Sequence, residues 1–155
     1  MKKNLLLTTL LALFSMPALS LAQSPQRCVS ASEQDVASLF DKWNDSLATG
    51  EATKVSELYV SDSVLLPALS HRTRLTDQER IDYFNDFLKK EPRGKINVRT
   101  ISIGCNQATD KGVYTFTFKD GSHVKARYLF NYVWDGGSWK IAAHRSAALP
   151  EKSRH

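Results

Sequence analysis

The run Val124-Lys125-Ala126-Arg127-Tyr128-Leu129-Phe130-Asn131-Tyr132-Val133-Trp134-Asp135-Gly136-Gly137-Ser138-Trp139-Lys140-Ile141-Ala142-Ala143-His144-Arg145 decides the fold. Two stretches rich in aromatic and β-branched residues flank Gly136-Gly137, a strong turn signal, so the run reads as a β-hairpin. With these glycines as a two-residue turn, Trp134 faces Trp139, Tyr132 faces Ile141, Phe130 faces Ala143 and Tyr128 faces Arg145. Side chains alternate across a sheet, so these residues share one aromatic face. The other face carries Arg127, Leu129, Asn131 and Val133, with Lys140, Ala142, His144 and Ser146 beside them.

Upstream, Ile96 to Ile103 and Val113 to Phe118 have the same strand character, and Asp120-Gly121 is a second turn signal. Taken as another two-residue turn, it sets Tyr114 opposite Arg127 and adds Tyr114 to the mixed face. Arg, Tyr and His in the middle of a sheet require partners or water, because burying them unpaired is costly. Patterning fits a pocket as well as a solvated outer face, and a one-residue change in either turn exchanges the two faces.

Before the sheet the period becomes helical. Ser32 and Asp35 form a capping box, and Val36, Leu39, Phe40, Trp43 and Leu47 make one apolar stripe that Gly50 ends. A short second helix is expected to carry Val55, Leu58 and Tyr59, followed by a strand at Val64-Leu65-Leu66 that stops at Pro67. Thr76 with Glu79 opens a third helix, whose inner face uses Ile81, Phe84 and Leu88 and which Pro92 cannot continue. Three helices followed by a curled antiparallel sheet make an α+β domain.

The chain has 155 residues and a formal net charge of +5. Lys2-Lys3, the apolar stretch Leu5 to Phe14 and the small-residue end Ser20-Leu21-Ala22 have the order of a cleavable export signal, residues 1–22. The apolar part is shorter than the ~20 residues a membrane span needs, so no stable membrane anchor is expected after cleavage. The remainder, residues 23–155, is read as a single domain of a periplasmic or secreted protein. Its basic residues are scattered among acids, unlike the concentrated patch of a nucleic-acid binder. Cys28 and Cys105 are an even pair in an exported chain and read as a disulfide, since their spacing fits no zinc pattern.

The segments Ala126 to Tyr132, Asp135 to Ile141 and His144-Arg145-Ser146-Ala147-Ala148-Leu149-Pro150-Glu151 resemble one bacterial family. Its members are exported relatives of the calcium/calmodulin-dependent protein kinase II association domain, within the nuclear-transport-factor-2-like superfamily. Leu39-Phe40, Trp43-Asn44, Leu58-Tyr59, Tyr83-Phe84, Ile103-Gly104-Cys105-Asn106 and Tyr114-Thr115-Phe116-Thr117 also look like that family. The resemblance implies a cone: three helices on a strongly curved sheet, a pocket between them, and a homodimer or higher homo-oligomer formed through the sheet. It implies no kinase activity. Many relatives have a histidine-rich run where this chain keeps His144 alone.

No phosphate-binding glycine loop, zinc-protease helix, nucleophile elbow or paired-cysteine redox motif occurs, and no cofactor or metal is expected. His144 is the histidine on a well-supported strand and the candidate general acid or base. Arg127 would fix a small anionic ligand through its two-pronged guanidinium, with Tyr114 and Asn131 as neutral partners. Arg145 and Arg99 are further candidates, and Trp43 and Tyr83 would close the pocket from the helical side. The expected function is an exported small-molecule-binding or assembly domain with an anion-tolerant pocket. The alternative is a cofactor-independent isomerase, cyclase or hydrolase working through His144.

Overall fold

A computed structural model describes residues 27–150; the expected export signal lies outside them. Helix α1 (Glu33–Ala48) begins at the Ser32 capping box: the Asp35 N–H donates to Ser32 Oγ at 3.2 Å and the Ser32 N–H to Asp35 Oδ2 at 2.8 Å. Its stripe Val36, Phe40, Trp43 and Leu47 is buried. Helix α2 is only Ala52–Ser56, so Leu58 and Tyr59 fall outside the helix expected to carry them. Tyr59 instead opens β1 (Tyr59–Leu66), because the Leu58 carbonyl is already taken by the Ile141 N–H of the last strand at 2.8 Å. Helix α3 (Asp77–Phe87) starts at the matching Thr76–Glu79 box and runs into one 3-10 turn, Leu88–Lys90.

The remaining strands are β2 (Arg93–Gly104), β3 (Gln107–Thr117), β4 (His123–Trp134) and β5 (Trp139–Ala148). The sheet order is β1-β5-β4-β3-β2, with β1 parallel to β5 and every other pair antiparallel. β1 thus separates α2 from α3 in sequence. The helices pack on one face, where Phe40, Trp43 and Phe84 meet Tyr114, Phe116, Phe130 and Ile141 in a single core.

Two contacts lock the layers together, and a third fits two strands to each other. Asn44 on α1 treats the edge of β2 as a neighbouring strand would: the Gly94 N–H donates to Asn44 Oδ1 at 2.8 Å, and Asn44 Nδ2 donates to the Gly94 carbonyl at 3.1 Å. Arg80 on α3 is wholly buried and donates to the carbonyls of Val60, Ser61 and Ser63 at 3.1–3.2 Å, and to Asp77 at 2.6 Å. Those carbonyls lie where β1 breaks register with β5, between Tyr59 and Val64, so the guanidinium supplies donors that the ladder cannot. Midway along the β2–β3 hairpin, Gly112 sits against the β2 bulge. A Cβ there would lie 1.8 Å from the Val98 carbonyl oxygen, so only glycine fits.

Cys28 and Cys105 form the disulfide, across a sequence separation of 77. Asn106 reinforces it by accepting from the Val29 N–H at 2.8 Å and donating to the Arg27 carbonyl at 3.3 Å. In the chain-entropy treatment a loop of this length stabilises the fold by about 4 kcal/mol. Replacing both cysteines by serine is therefore expected to lower the unfolding free energy by about that amount in urea titrations. An unchanged midpoint would show that the helix and strand contacts hold the tail unaided.

Candidate functional site

Two local irregularities decide which side chains meet. The β3–β4 connection closes with a Phe118 N–H bond to the Ser122 carbonyl at 2.9 Å, leaving a three-residue loop with Gly121 at φ +81°. One residue more than the expected turn shifts the register, so Tyr114 faces Ala126 instead of Arg127. The Gly136-Gly137 turn sets Trp134 opposite Trp139 and Tyr132 opposite Ile141, as the alternation predicts. A bulge then absorbs Ala142, and from there Phe130 pairs with His144, Tyr128 with Ser146 and Leu129 with Arg145.

Each slip is one residue, and each moves a polar side chain across the sheet. Tyr114 and His144 arrive together on the aromatic face, beneath the helices. Arg127 and Asn131 stay on the opposite face and Arg145, expected opposite Tyr128 on the aromatic face, is moved there by the bulge; both arginines are exposed and Asn131 bonds to the Thr109 hydroxyl at 3.1 Å. The expected grouping of Arg127 and Asn131 with Tyr114 and His144 is therefore corrected. The aromatic face of Tyr128, Phe130 and Tyr132 is core, not an exposed contact surface.

Trp43, Tyr83, Tyr114 and His144 do come together, around a cavity of about 30 Å³ between the helices and the sheet. That is room for roughly two waters. Leu65, Phe87, Phe116 and Ser146 complete its depth, while Ala68, Leu69 and Val124 both line it and meet solvent. No Lys or Arg stands on its wall.

His144 is 4% exposed and stacks on Phe130 with ring centroids 4.0 Å apart. Its Nδ1 lies 3.0 Å from the Tyr59 hydroxyl, which accepts from Trp43 Nε1 at 3.0 Å. Indole N–H can only donate, so the phenol proton is free for Nδ1, and the imidazole proton then belongs on Nε2. Nε2 is buried without a protein partner. Burial holds the imidazole down to about 3, leaving it neutral. Burial likewise pushes the Tyr114 phenol up, opposed by a hydrogen bond with Ser146.

Arg99 belongs to a second polar cluster. Asp110, fully buried on the same face, accepts from the Tyr128 hydroxyl at 2.7 Å and from Arg99 Nε at 3.2 Å. Arg99 Nη2 lies 3.1 Å from Asp110 Oδ2 as an ion pair, off the hydrogen-bonding line. Burial raises the Asp110 carboxyl, and the Tyr128 and Arg99 contacts oppose that rise. Arg99 is thereby committed to an internal acid. Sequence reasoning missed Asp110, Tyr59 and Arg80: Asp110 sits in a polar stretch without strand character, and the other two declare themselves only through tertiary partners. Among the described residues, no group of three His, Cys, Asp or Glu side chains could hold a metal ion.

The element order and the helix-covered mixed sheet define an α+β fold of the nuclear-transport-factor-2-like (NTF2-like) class. An NTF2-like protein from Pseudomonas putida superposes with a TM-score of 0.68 at 13% identity, covering 82% of this chain and 93% of its own. A candidate dehydratase of the NTF2-like family from Streptomyces avermitilis gives 0.68 at 9% identity, covering 76% and 96%. At such identities the likeness is one of fold. Residues 32–150 match the calcium/calmodulin dependent protein kinase II association domain, and the chain belongs to that family. A Xanthomonas campestris structure named for the same association domain is 43% identical, with a TM-score of 0.73 over 83% of this chain and 99% of that one. No curated protein matches the chain.

Two outcomes follow from these positions. Arg127→Met removes an exposed side chain and is expected to change the unfolding free energy by no more than about 0.5 kcal/mol. A loss of several kcal/mol would place Arg127 in a buried network. For His144, the unfolded chain takes up a proton below its ordinary value of 6.5, while the folded chain resists until about 3. The stability this group contributes is thus present above pH 6.5 and is lost as the pH falls from there toward 3, with a limiting slope of about 1.4 kcal/mol per pH unit. Urea titrations from pH 7 to 4 should show that slope in the native protein and not in His144→Phe, with other titrating groups common to both.

Proposed function

We propose that this chain is an exported, self-associating domain that binds a small molecule in the His144 cavity. The observation that carries the binding half is a cavity between the helices and the sheet, walled mainly by apolar and aromatic side chains, with Tyr83, Tyr114, His144 and Ser146 among them, and meeting solvent at Ala68, Leu69 and Val124. A few polar groups converging on largely apolar walls are how small-molecule sites are usually built. The expected anion-tolerant character is revised, since the cavity wall carries no cation.

This geometry favours binding over the acid–base alternative. A general base needs its lone pair toward the substrate and a proton affinity near the working pH. Here the lone pair on Nδ1 is turned to Tyr59, and burial depresses the imidazole far below neutrality.

Self-association is supported by membership of an association-domain family and by the sheet face that the helices leave uncovered. That face presents Val98, Val113, Leu129 and Val133 in one band between Arg127 and Lys140, and Val98 is 59% exposed. Export is supported by the order of charge, apolar stretch and small residues in 1–22, and by a disulfide close behind it. Light scattering at high micromolar concentration should report a dimer or larger species. Val98→Lys combined with Leu129→Lys should yield a folded monomer with unchanged circular dichroism. A native protein that is already monomeric would overturn the assembly half.

A further inference from the structure

Basic and acidic residues alternate along the sequence, but the fold sorts them onto different surfaces. Helices α1 and α3 carry four acids each. Strands β2 to β5 hold one acid, Asp110, and it is buried on the face the helices cover. The open face of those strands therefore has no carboxylate, yet it presents Lys95, Lys111, Lys125, Arg127, Lys140 and Arg145. We infer that this face is an oxyanion site shared between two copies of the chain. Lys111, Arg127 and Arg145 of each copy hold a small inorganic oxyanion of the phosphate or sulfate class, and the copies close over it. The site rests on self-association through the open sheet face and adds the ligand that assembly takes up.

Strand register places the cations inside the apolar band, not around it. Arg127 lies opposite Val113, and Leu129 has Lys111 on one side and Arg145 on the other. Arg127 is thus the diagonal neighbour of both Lys111 and Arg145, about 7–8 Å from each and within reach of long side chains. Three cations ring one leucine. A contact that buries Leu129 and Val113 takes these cations with it, so they cannot be left at a hydrated rim.

No carboxylate of the described residues is placed to neutralise them. The ion pairs there use other cations. Asp120 and Asp135, in the turns, accept from the N–H groups of Ser122 and of Gly137 and Ser138. Asp62 stands on the edge strand β1, in the stretch that breaks register with β5. A two-fold pair is self-complementary, so a second copy brings the same strands and again no acid. Like charges pressed together oppose association. An oxyanion removes that conflict for both copies at once, and guanidinium groups meet it with two-pronged donor sets.

The test measures the dissociation constant of self-association by sedimentation equilibrium on the native protein. Chloride is compared with about 10 mM phosphate at the same ionic strength, so that screening is equal and general salting-out small. Phosphate is expected to tighten self-association about tenfold or more, the mass-action gain from a ligand that the assembled form alone holds. Equal constants in the two buffers would overturn the oxyanion site and leave self-association standing. A monomer in both would overturn the two together. As a second arm, Arg127→Gln removes one exposed cation per copy from the centre of the group. The variant should associate in chloride at least as tightly as the native chain, since a like charge has gone, and should lose the phosphate response. A variant that keeps the full response would place the anion away from Arg127 and overturn the assignment.

Discussion

Trp43, Tyr59 and His144 come from three different elements, and two hydrogen bonds of 3.0 Å join them in line. Each is buried, so each bond must be made or its polar atoms are stranded at a cost of about 1–3 kcal/mol apiece. Trp43 fixes the rotation of α1, Tyr59 fixes where β1 begins, and His144 fixes the phase of β5. The Ala142 bulge exists in this setting: without it His144 would face outward, and the Tyr59 hydroxyl would have no acceptor beneath the helices.

Among the described residues the core contains two buried charged side chains, and they are accommodated in opposite ways. Asp110 has a carboxylate's usual partners, an arginine and a phenol, on neighbouring strands of the same sheet. Arg80 has an acid at its rim but spends most of its donors on backbone carbonyls of β1. The first arrangement ties β2, β3 and β4 together at the face α1 covers; the second lets a strand bend away from its neighbour without leaving carbonyls bare. Neither is evidence of high stability, since burying the charges costs about as much as pairing them returns.

Element types were legible because they rest on short-range chemistry. The capping boxes at Ser32 and Thr76, the stripe through Trp43 and the Gly136-Gly137 hairpin all appear where local rules put them. β3 was legible only from Val113 onward. Its first half, Gln107 to Gly112, is polar and ends in glycine, and it becomes a strand because β2 and β4 pair with it from both sides. The site was half legible. Trp43, Tyr83, Tyr114 and His144 share a cavity, yet Tyr114 and His144 each sit one residue away from the register that regular two-residue turns would give. Both residues crossed the sheet together, whereas Arg127 and Asn131 did not. Parity depends on the loop after Phe118 and the bulge at Ala142, and alternation within a strand records neither.

Asn44 has a consequence for the protein's life among other chains. β2 is an edge strand, and an edge presents unpaired N–H and carbonyl groups on which a foreign strand can grow. At Gly94 the Asn44 amide already fills the place of that next strand, with one donor and one acceptor in register. Further along, the bulge between Ile96 and Val98 breaks the straight run a newcomer would need. A side-chain amide and a bulge together act as a molecular end-stop, so the sheet is closed to growth on a flank that no helix could cover in full.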